Sequence, residues 1–422
     1  MLSIGTGAGQ LPRRVALIAG LLLAASVINY MDRQTLTSVS KRVMEEFSLT
    51  NEQYGTIEAS FGYAFAAGSL LFGFLADRVN VRWLYPAALL AWSLVGFATG
   101  WARDYDELLR LRTVLGFFEA AHWPCALKTT QLLLTARGRA MGNGVLQSGT
   151  SVGSILTPVF MWWIMVQQGL SWRIGFQVVG LVGVVWIVGW LAATRNEDFH
   201  VASRGDADGN GEAVDSGLDT IRRWAAVLLV VVVINTVWQI LRAWIPLILQ
   251  KQYGYGETTT LWFNAAWFAV ADVGCLAAGW LSWRLAGKGW TVKWSRVATV
   301  ACCCVLCLAL AAVPWISAGP LLLTLFLVAG AGTLGLFPIY YSFTQDVSRH
   351  HIGLVTGIAS FFGWVASARF QKLFGWLADE THSYSVGIAA AGVVTLVALA
   401  AWALLWPEDR ADASAAAAEP VA

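Results

Sequence analysis

The sequence predicts an all-α membrane protein in which twelve transmembrane helices form two six-helix bundles around a central cavity. Three observations carry that prediction. The 422 residues are 57% hydrophobic and only 13% charged, with a mean hydropathy of +0.60, values typical of chains that live in lipid. Apolar runs near the roughly 20 residues needed to cross a hydrocarbon core about 30 Å thick recur along almost the whole chain. One long polar stretch, residues 195–223, then divides those runs almost in the middle.

The first span is read at 15–38. Arg13 and Arg14 ahead of it resemble the start of a signal peptide, but the apolar run is too long and lacks a clear cleavage site. Lys41 and Arg42 close it, and a second span follows at 53–76, ended by Arg78 and Arg82. Spans at 83–102 and 107–134 are separated around Arg103, and spans at 140–167 and 174–193 lie on either side of Arg173. The stretch 195–223 reads as a linker by composition. Beyond it come spans at 224–250 and 258–283, parted at Lys251, then 292–314, 319–345, 352–378 and 384–406. The domains are therefore expected at 1–194 and 224–406, joined by the linker, with a tail at 407–422.

Loop charges set the orientation, because lysine and arginine collect on the cytoplasmic side. With the N-terminus inside, sixteen basic residues fall on cytoplasmic segments and six on the other side, so both termini are expected in the cytoplasm. Six more lie within spans: Arg33, Arg112, Lys128, Arg242, Arg369 and Lys372. An internal echo relates the halves. "GFLADR", Gly73 to Arg78, ends the second span, and "GWLSWR", Gly279 to Arg284, ends the corresponding span of the second half. Paired six-helix repeats about a midplane site are the architecture of alternating-access carriers.

Several function classes are excluded at this stage. A net charge of +2, with no basic run interleaved with aromatics, gives no nucleic-acid partner. No HExxH or phosphate loop supports an enzyme, and no cofactor is expected. The six cysteines lie in apolar stretches, so the CxxC spacing of Cys304 and Cys307 is read as packing, and no metal site is expected. "DADGNGEAVDSG", from Asp206 to Gly217, opens like a calcium loop, but its twelfth place is glycine where a bidentate glutamate is needed. The tryptophans are read as mostly interfacial or lipid-facing.

Charges inside spans are the chemical signal. One at mid-bilayer costs about 2.5–3.5 kcal/mol even on the lenient insertion scale, so it is expected to face the bundle interior and find a partner. Asp32 and Arg33 in "INYMDRQTL" are read as lining a cavity, the alternative being a helix end that snorkels to headgroups. Arg112 and Glu119 are seven residues apart, two helical turns, and share one face. Burial disfavours a charged Glu119 while a neighbouring arginine favours it, a balance suited to a group that gains and loses a proton, or else to a permanent ion pair. Arg242, with Asn235, Trp238 and Gln239 on neighbouring turns, is a third anion-holding candidate from the second half. Asp272 is either a second coupling site or an inter-helix partner, and Arg369 either binds cargo or pairs with Asp272. Lys128 and Lys372 are read as reaching headgroups, and Glu58 as belonging to the rim. Tyr63 and Gln147 are candidates for neutral hydrogen bonds to a polyol. His122, one turn past Glu119, is read either as a helper in proton transfer or as a hydrogen-bonded structural residue.

The chain also resembles a known group. "GFLADRVNVR", Gly73 to Arg82, is similar to the signature loop of the major facilitator superfamily and departs from it at Asn80 and Val81; Gly73, Asp77, Arg78 and Arg82 carry the match. "NYMDRQTL", "RTVLGFFEAAHWPCALKTT" and "RAMGNGVLQSGTSVGSILTP" resemble helices 1, 4 and 5 of its anion:cation symporter family. "WQILRAWIPLILQKQYGY", "ADVGCLAAGWLSWRLAGKGW" and "YYSFTQDVS" resemble the hexuronate-transporter branch, from which His122 and Gly363 depart. The resemblance implies the major facilitator fold and a proton-coupled symporter for a small organic anion, first a hexuronate, otherwise an aldonate, glucarate or aromatic acid. It implies that Asp32 and Glu119 are the protonatable pair and that Arg33 and Arg112 hold the carboxylate. The expected partners are the anion, protons and the lipid bilayer, for a monomer in the inner (cytoplasmic) membrane.

Overall fold

The computed structural model describes residues 13–133, 136–195, 217–347 and 352–407. Most of the linker, the tail beyond 407 and the calcium-like stretch from Asp206 to Ser216 lie outside the described residues. Within them the chain is helical, without a strand.

The first half comprises α1 (Arg13–Glu46), α2 (Asn51–Arg78), α3 (Val81–Thr99), α4 (Tyr105–Glu119), α5 (His122–Leu133), α6 (Ala136–Trp162, continued by a π-helical turn, Trp163–Gln167) and α7 (Trp172–Ala193). The second comprises α8 (Gly217–Leu247, with a π turn at Ile248–Gln252), α9 (Glu257–Ala286), α10 (Val292–Cys307), α11 (Ala309–Ala312), α12 (Pro320–Val347), α13 (Ile352–Thr381) and α14 (Ser385–Leu405). Ten helices among the described residues are long and apolar enough to cross a membrane. The fourth span is the pair α4–α5, and the eleventh is α13, which carries Arg369, Lys372, Asp379 and Glu380. The total of twelve spans matches the sequence reading.

Local chemistry explains where these helices begin and break. The Thr50 hydroxyl accepts from the Gln53 amide while the Gln53 side chain accepts from Thr50, a reciprocal cap on α2. Asp104 caps α4 through the Glu107 amide at 2.8 Å. The fourth span, expected as one helix, breaks at Ala120–Ala121. Pro124, lacking an amide hydrogen, cannot bond the Ala120 carbonyl one turn back. Helix α1 runs eight residues past the expected end at 38, carrying Lys41 and Arg42 with it. At 34 residues it is about 50 Å long, more than the hydrocarbon core needs, so its last turns leave the apolar layer.

Within the first half α1 packs on α6 and α7, α2 on α4, and α3 on α7. Within the second, α9 packs on α12, α8 on α13 and α14, and α10 on α12. Across the halves α2 meets α13, α6 meets α9, and α1 meets α8. Each half has an apolar core of its own, around Trp92 and Trp190 in the first and around Phe343 and Trp402 in the second. A third core, from Leu36, Val43 and Tyr54 to Leu241, Trp244 and Phe374, belongs to both halves.

That shared core leads to the end of the molecule where α1 turns into α2, and polar bonds seal it. Arg42 grips Glu257 through two hydrogen bonds of 2.7 and 2.6 Å. Asp379 of α13 accepts from the Asn51 and Glu52 amides at 3.1 and 2.7 Å, capping α2 from the other half. The Tyr384 hydroxyl donates to Asn51 at 2.6 Å. Lys372 pairs with Glu52 at 3.4 Å. Gly55 and Gly375 lie where any Cβ would strike the backbone of the facing helix, so α2 and α13 meet backbone to backbone.

Candidate functional site

Midway along the bundle, charges that the sequence scatters over 210 residues come together. Helix α1 sets the arrangement. Successive residues on a helix point about 100° apart, so Asp32 and Arg33 separate. Arg33 turns toward the interface, where its Nε donates to Glu119 Oε2 at 2.7 Å. Its guanidinium is walled by the rings of Tyr30, Phe61, Phe65 and Trp364 at 4.6 to 5.5 Å, an aromatic surround that suits a cation. Asp32 turns toward α3, where Gly96 has no side chain to obstruct its carboxylate. Both Asp32 oxygens are buried without a hydrogen-bond partner, and the charges around it are Glu119, Arg112 and Arg33.

Arg112 on α4 is fully buried. Its Nη1 donates to the Asp32 carbonyl at 3.4 Å, its Nη2 lies 3.8 Å from Glu58 Oε1, and its guanidinium stands 4.9 Å from the Phe61 ring. Arg242 of α8 reaches the same carboxylate from the second half: Nη2 donates to Glu58 Oε2 at 2.6 Å, Nε to Gln239 Oε1 at 2.7 Å and Nη1 to Thr37 at 3.3 Å. Gln371 braces this side. It donates to the Gln239 carbonyl at 2.8 Å and accepts from Trp244 at 2.6 Å. Three arginines thus meet three carboxylates, and the cluster is formally neutral. An unpaired buried charge is costly enough that neutrality stabilises the closed arrangement. Glu58, Gln239, Arg242, Trp364, Ser367 and Gln371 line a narrow crevice between the halves, with no room in it for a water molecule.

Glu58 corrects the sequence reading. It was expected at the rim and is 3% exposed, between two arginines of opposite halves. Arg242, an anion-holding candidate in the sequence, is buried beside it. Lys128 pairs with Asp77 at 2.9 Å, and Lys372 with Glu52 at 3.4 Å.

The other candidates lie elsewhere. His122 is buried inside the first half, its Nδ1 2.7 Å from the Tyr85 hydroxyl and its Nε2 3.1 Å from Ser26. The break before α5 turns its ring toward Tyr85 and Ser26, the arrangement of the hydrogen-bonded structural reading. Trp238 lies against the Trp267 ring at 5.2 Å, within an aromatic group that includes Phe268 and Phe337. Tyr63 is 43% exposed, and Gln147 is exposed with a 3.4 Å bond to Thr150; neither joins the cluster. Asp272 is partly buried against Ser151 of α6. Arg369 is exposed and is not paired with Asp272. In the signature loop Asp77 holds Lys128, Arg78 lies 3.5 Å over the Phe74 ring and Arg82 5.0 Å from the Trp83 ring, while Gly73 has open space where a side chain would go. Cys304 and Cys307 donate to the Thr395 and Ala329 carbonyls, as packing residues do.

Besides Glu58, the sequence reading passed over Thr37, Tyr54 and Gln371. Tyr54 donates across the halves to the Ala243 carbonyl at 3.1 Å. Nothing in a single sequence distinguishes such residues from helix-packing polar groups; Glu58 alone carried a signal, as a charge within an apolar run.

A family model described as Major Facilitator Superfamily matches residues 22–369. The chain is 25% identical over 409 residues to a hexuronate transporter of Escherichia coli (strain K12), covering 91% of this chain and 92% of that one. It is 25% identical over 428 residues to a D-galactonate transporter of Escherichia coli O6:H1, covering 96% and 98%. Among solved structures, a bacterial homolog of the human lysosomal transporter Spinster, inward-facing and occupied, superposes with a TM-score of 0.75 at 18% identity, over 94% of this chain and 97% of that one.

Proposed function

The chain belongs to the Major Facilitator Superfamily, and from that premise we propose that it is a proton-coupled symporter that imports a sugar acid, first of all a hexuronate such as glucuronate or galacturonate. The observation that carries the reading is the convergence of Arg33, Arg112 and Arg242, from both halves, on buried carboxylates. A guanidinium fork matches a carboxylate in two places, and the amides of Gln239 and Asn235 offer hydrogen bonds to sugar hydroxyls. The names of the relatives support the same cargo class.

The proposed cycle follows from the ionic contacts. With the termini in the cytoplasm of the inner membrane, the sealed α1–α2 end faces outward and the described conformer is closed to the outside. When that end opens, a proton on Glu119 removes the partner of Arg33, and a proton on Asp32 removes one of the carboxylates beside Arg112, leaving Glu58 as the other. Arg33 is then free for the cargo carboxylate, and Arg112 is left with Glu58 as its competing anion. The halves, residues 1–194 and 224–406 about the linker 195–223, rock around the loaded site, and cargo and protons leave inward. The crevice is too tight for a sugar acid, so loading requires the halves to part.

An aldonate is the second reading, favoured by the D-galactonate relative. Uptake of labelled glucuronate, galacturonate and galactonate by proteoliposomes, with and without an inward proton gradient, tests both. Accumulation of a hexuronate only with the gradient is the expected result. Preference for galactonate selects the second reading, and uptake indifferent to the gradient removes proton coupling.

A further inference from the structure

We propose that Glu58 is the resident counter-anion of the arginine clamp: its carboxylate holds Arg112 and Arg242 in the empty carrier and yields that seat, taking a proton, when a cargo carboxylate arrives. The inference rests on the transport reading above and adds to it a third titrating group.

Three observations lead there. Glu58 touches both arginines, at 3.8 Å to Arg112 and 2.6 Å to Arg242, and so spans the two halves with the functional group that a sugar acid would present. It borders the crevice between those halves. Its Oε1 is buried without a hydrogen bond, so one oxygen can take a proton while the other faces the clamp. Asp32 and Glu119 lie beside Arg33 and Arg112, but Glu58 is the carboxylate that also meets Arg242. Helix α4 faces Glu58 with Arg112, α8 with Arg242, and α13 with the neutral Trp364, Ser367 and Gln371; Tyr54 is the titratable neighbour on α2 itself.

Charge balance gives the exchange its direction. Arg33, Arg112 and Arg242 against Asp32, Glu58 and Glu119 sum to zero, so the empty site can be enclosed without an uncompensated ion. A monoanion that takes the seat of Glu58 on Arg112 and Arg242 leaves the displaced carboxylate buried without its cations. A proton from hydronium at the open end, bonding to Glu58 Oε1 and leaving water behind, neutralises that carboxylate and releases both guanidiniums. Glu58 therefore links cargo binding to one proton and lets the unloaded carrier return.

The test compares net accumulation with anion-for-anion exchange, using glucuronate, galacturonate and galactonate as probes. In proteoliposomes Glu58→Gln is expected to lower gradient-driven accumulation at least tenfold more than it lowers anion-for-anion exchange. Native accumulation by Glu58→Gln overturns the proposal, as does an equal loss of both activities in protein that remains monodisperse, because Glu58 is then a structural tie. Should Glu58→Gln fail to assemble, the double variant Asp32→Asn/Glu119→Gln decides. With those two carboxyls already neutral, anion binding in weakly buffered detergent is expected to take up close to one proton per anion, read with a pH-sensitive dye. Binding without proton uptake overturns the proposal. If the native protein accumulates none of the three probes, the transport reading fails, whatever Glu58 does.

Discussion

The two halves of the molecule have similar helices and dissimilar chemistry. Asp32, Arg33, Glu58, Arg112 and Glu119 come from the first half; the second contributes Arg242 and the neutral amides of Gln239 and Gln371. Carboxylates set beside arginines can change the charge of a site with little movement. One arginine held by amides can only grip or release. In the proposed cycle the difference gives proton handling to the first half and cargo reading to both, with Arg242 as the part that travels when the halves separate.

Four substitutions test that division, beginning with the largest expected effect. Arg112→Ala removes a fully buried guanidinium and leaves Glu58 with a single cation. Truncating one member of such a pair costs about 2–5 kcal/mol, so initial uptake into proteoliposomes is expected to fall about 30-fold or more in protein that stays monodisperse. Uptake within threefold of native removes the first half as anion holder. Glu119→Gln is expected to reduce gradient-driven accumulation by at least about tenfold while anion exchange persists, since it removes the titrating partner of Arg33 and leaves the arginine in place. Equal loss of both activities makes Glu119 a fixed structural partner. Arg242→Lys keeps the charge and loses the fork; a weakening of apparent cargo affinity by about tenfold is expected from concentration-dependent uptake. An effect exceeding that of Arg112→Ala reverses the comparison, with the second half then holding the anion. His122→Ala leaves Tyr85 and Ser26 without their buried partner and is expected to cost about 1–3 kcal/mol, seen as a lower Tm with transport per folded molecule unchanged. A selective loss of transport returns His122 to the site.

What could be read in the sequence follows from what costs energy along a single helix. Charges in apolar runs are expensive wherever the helix ends up, so Arg33, Arg112, Glu119 and Arg242 were visible as site residues before any packing was known. Glu58 carried the same signal, discounted because its run begins only a few residues earlier. Its partner Arg242 lies 184 residues away in sequence, and no local pattern encodes that meeting. The opposite error affected His122. Spacing from Glu119 put it one turn further along a continuous helix, but the break that Pro124 permits at Ala120–Ala121 turns it toward Ser26 and Tyr85. Tyr63 and Gln147 were chosen for their chemical type, which gives no facing, and both are exposed. The spans were readable from length and apolarity; the run of α1 to Glu46 was not, since a helix outlasts its hydrocarbon layer when polar groups such as Arg42 find partners beyond it.

Asp379 completes the first turn of a helix that belongs to the opposite half. Each time the α1–α2 end parts, α2 gives up that carboxylate and two of its amides turn to water, at a cost typical of a lost N-cap, about 1 kcal/mol. That is roughly a fivefold bias in resting population, small enough for thermal agitation to reverse on every turnover and independent of whatever lies in the chamber below. The α1–α2 end therefore carries its own weak spring, and the carrier's idle posture can be retuned at a helix end without altering what it recognises.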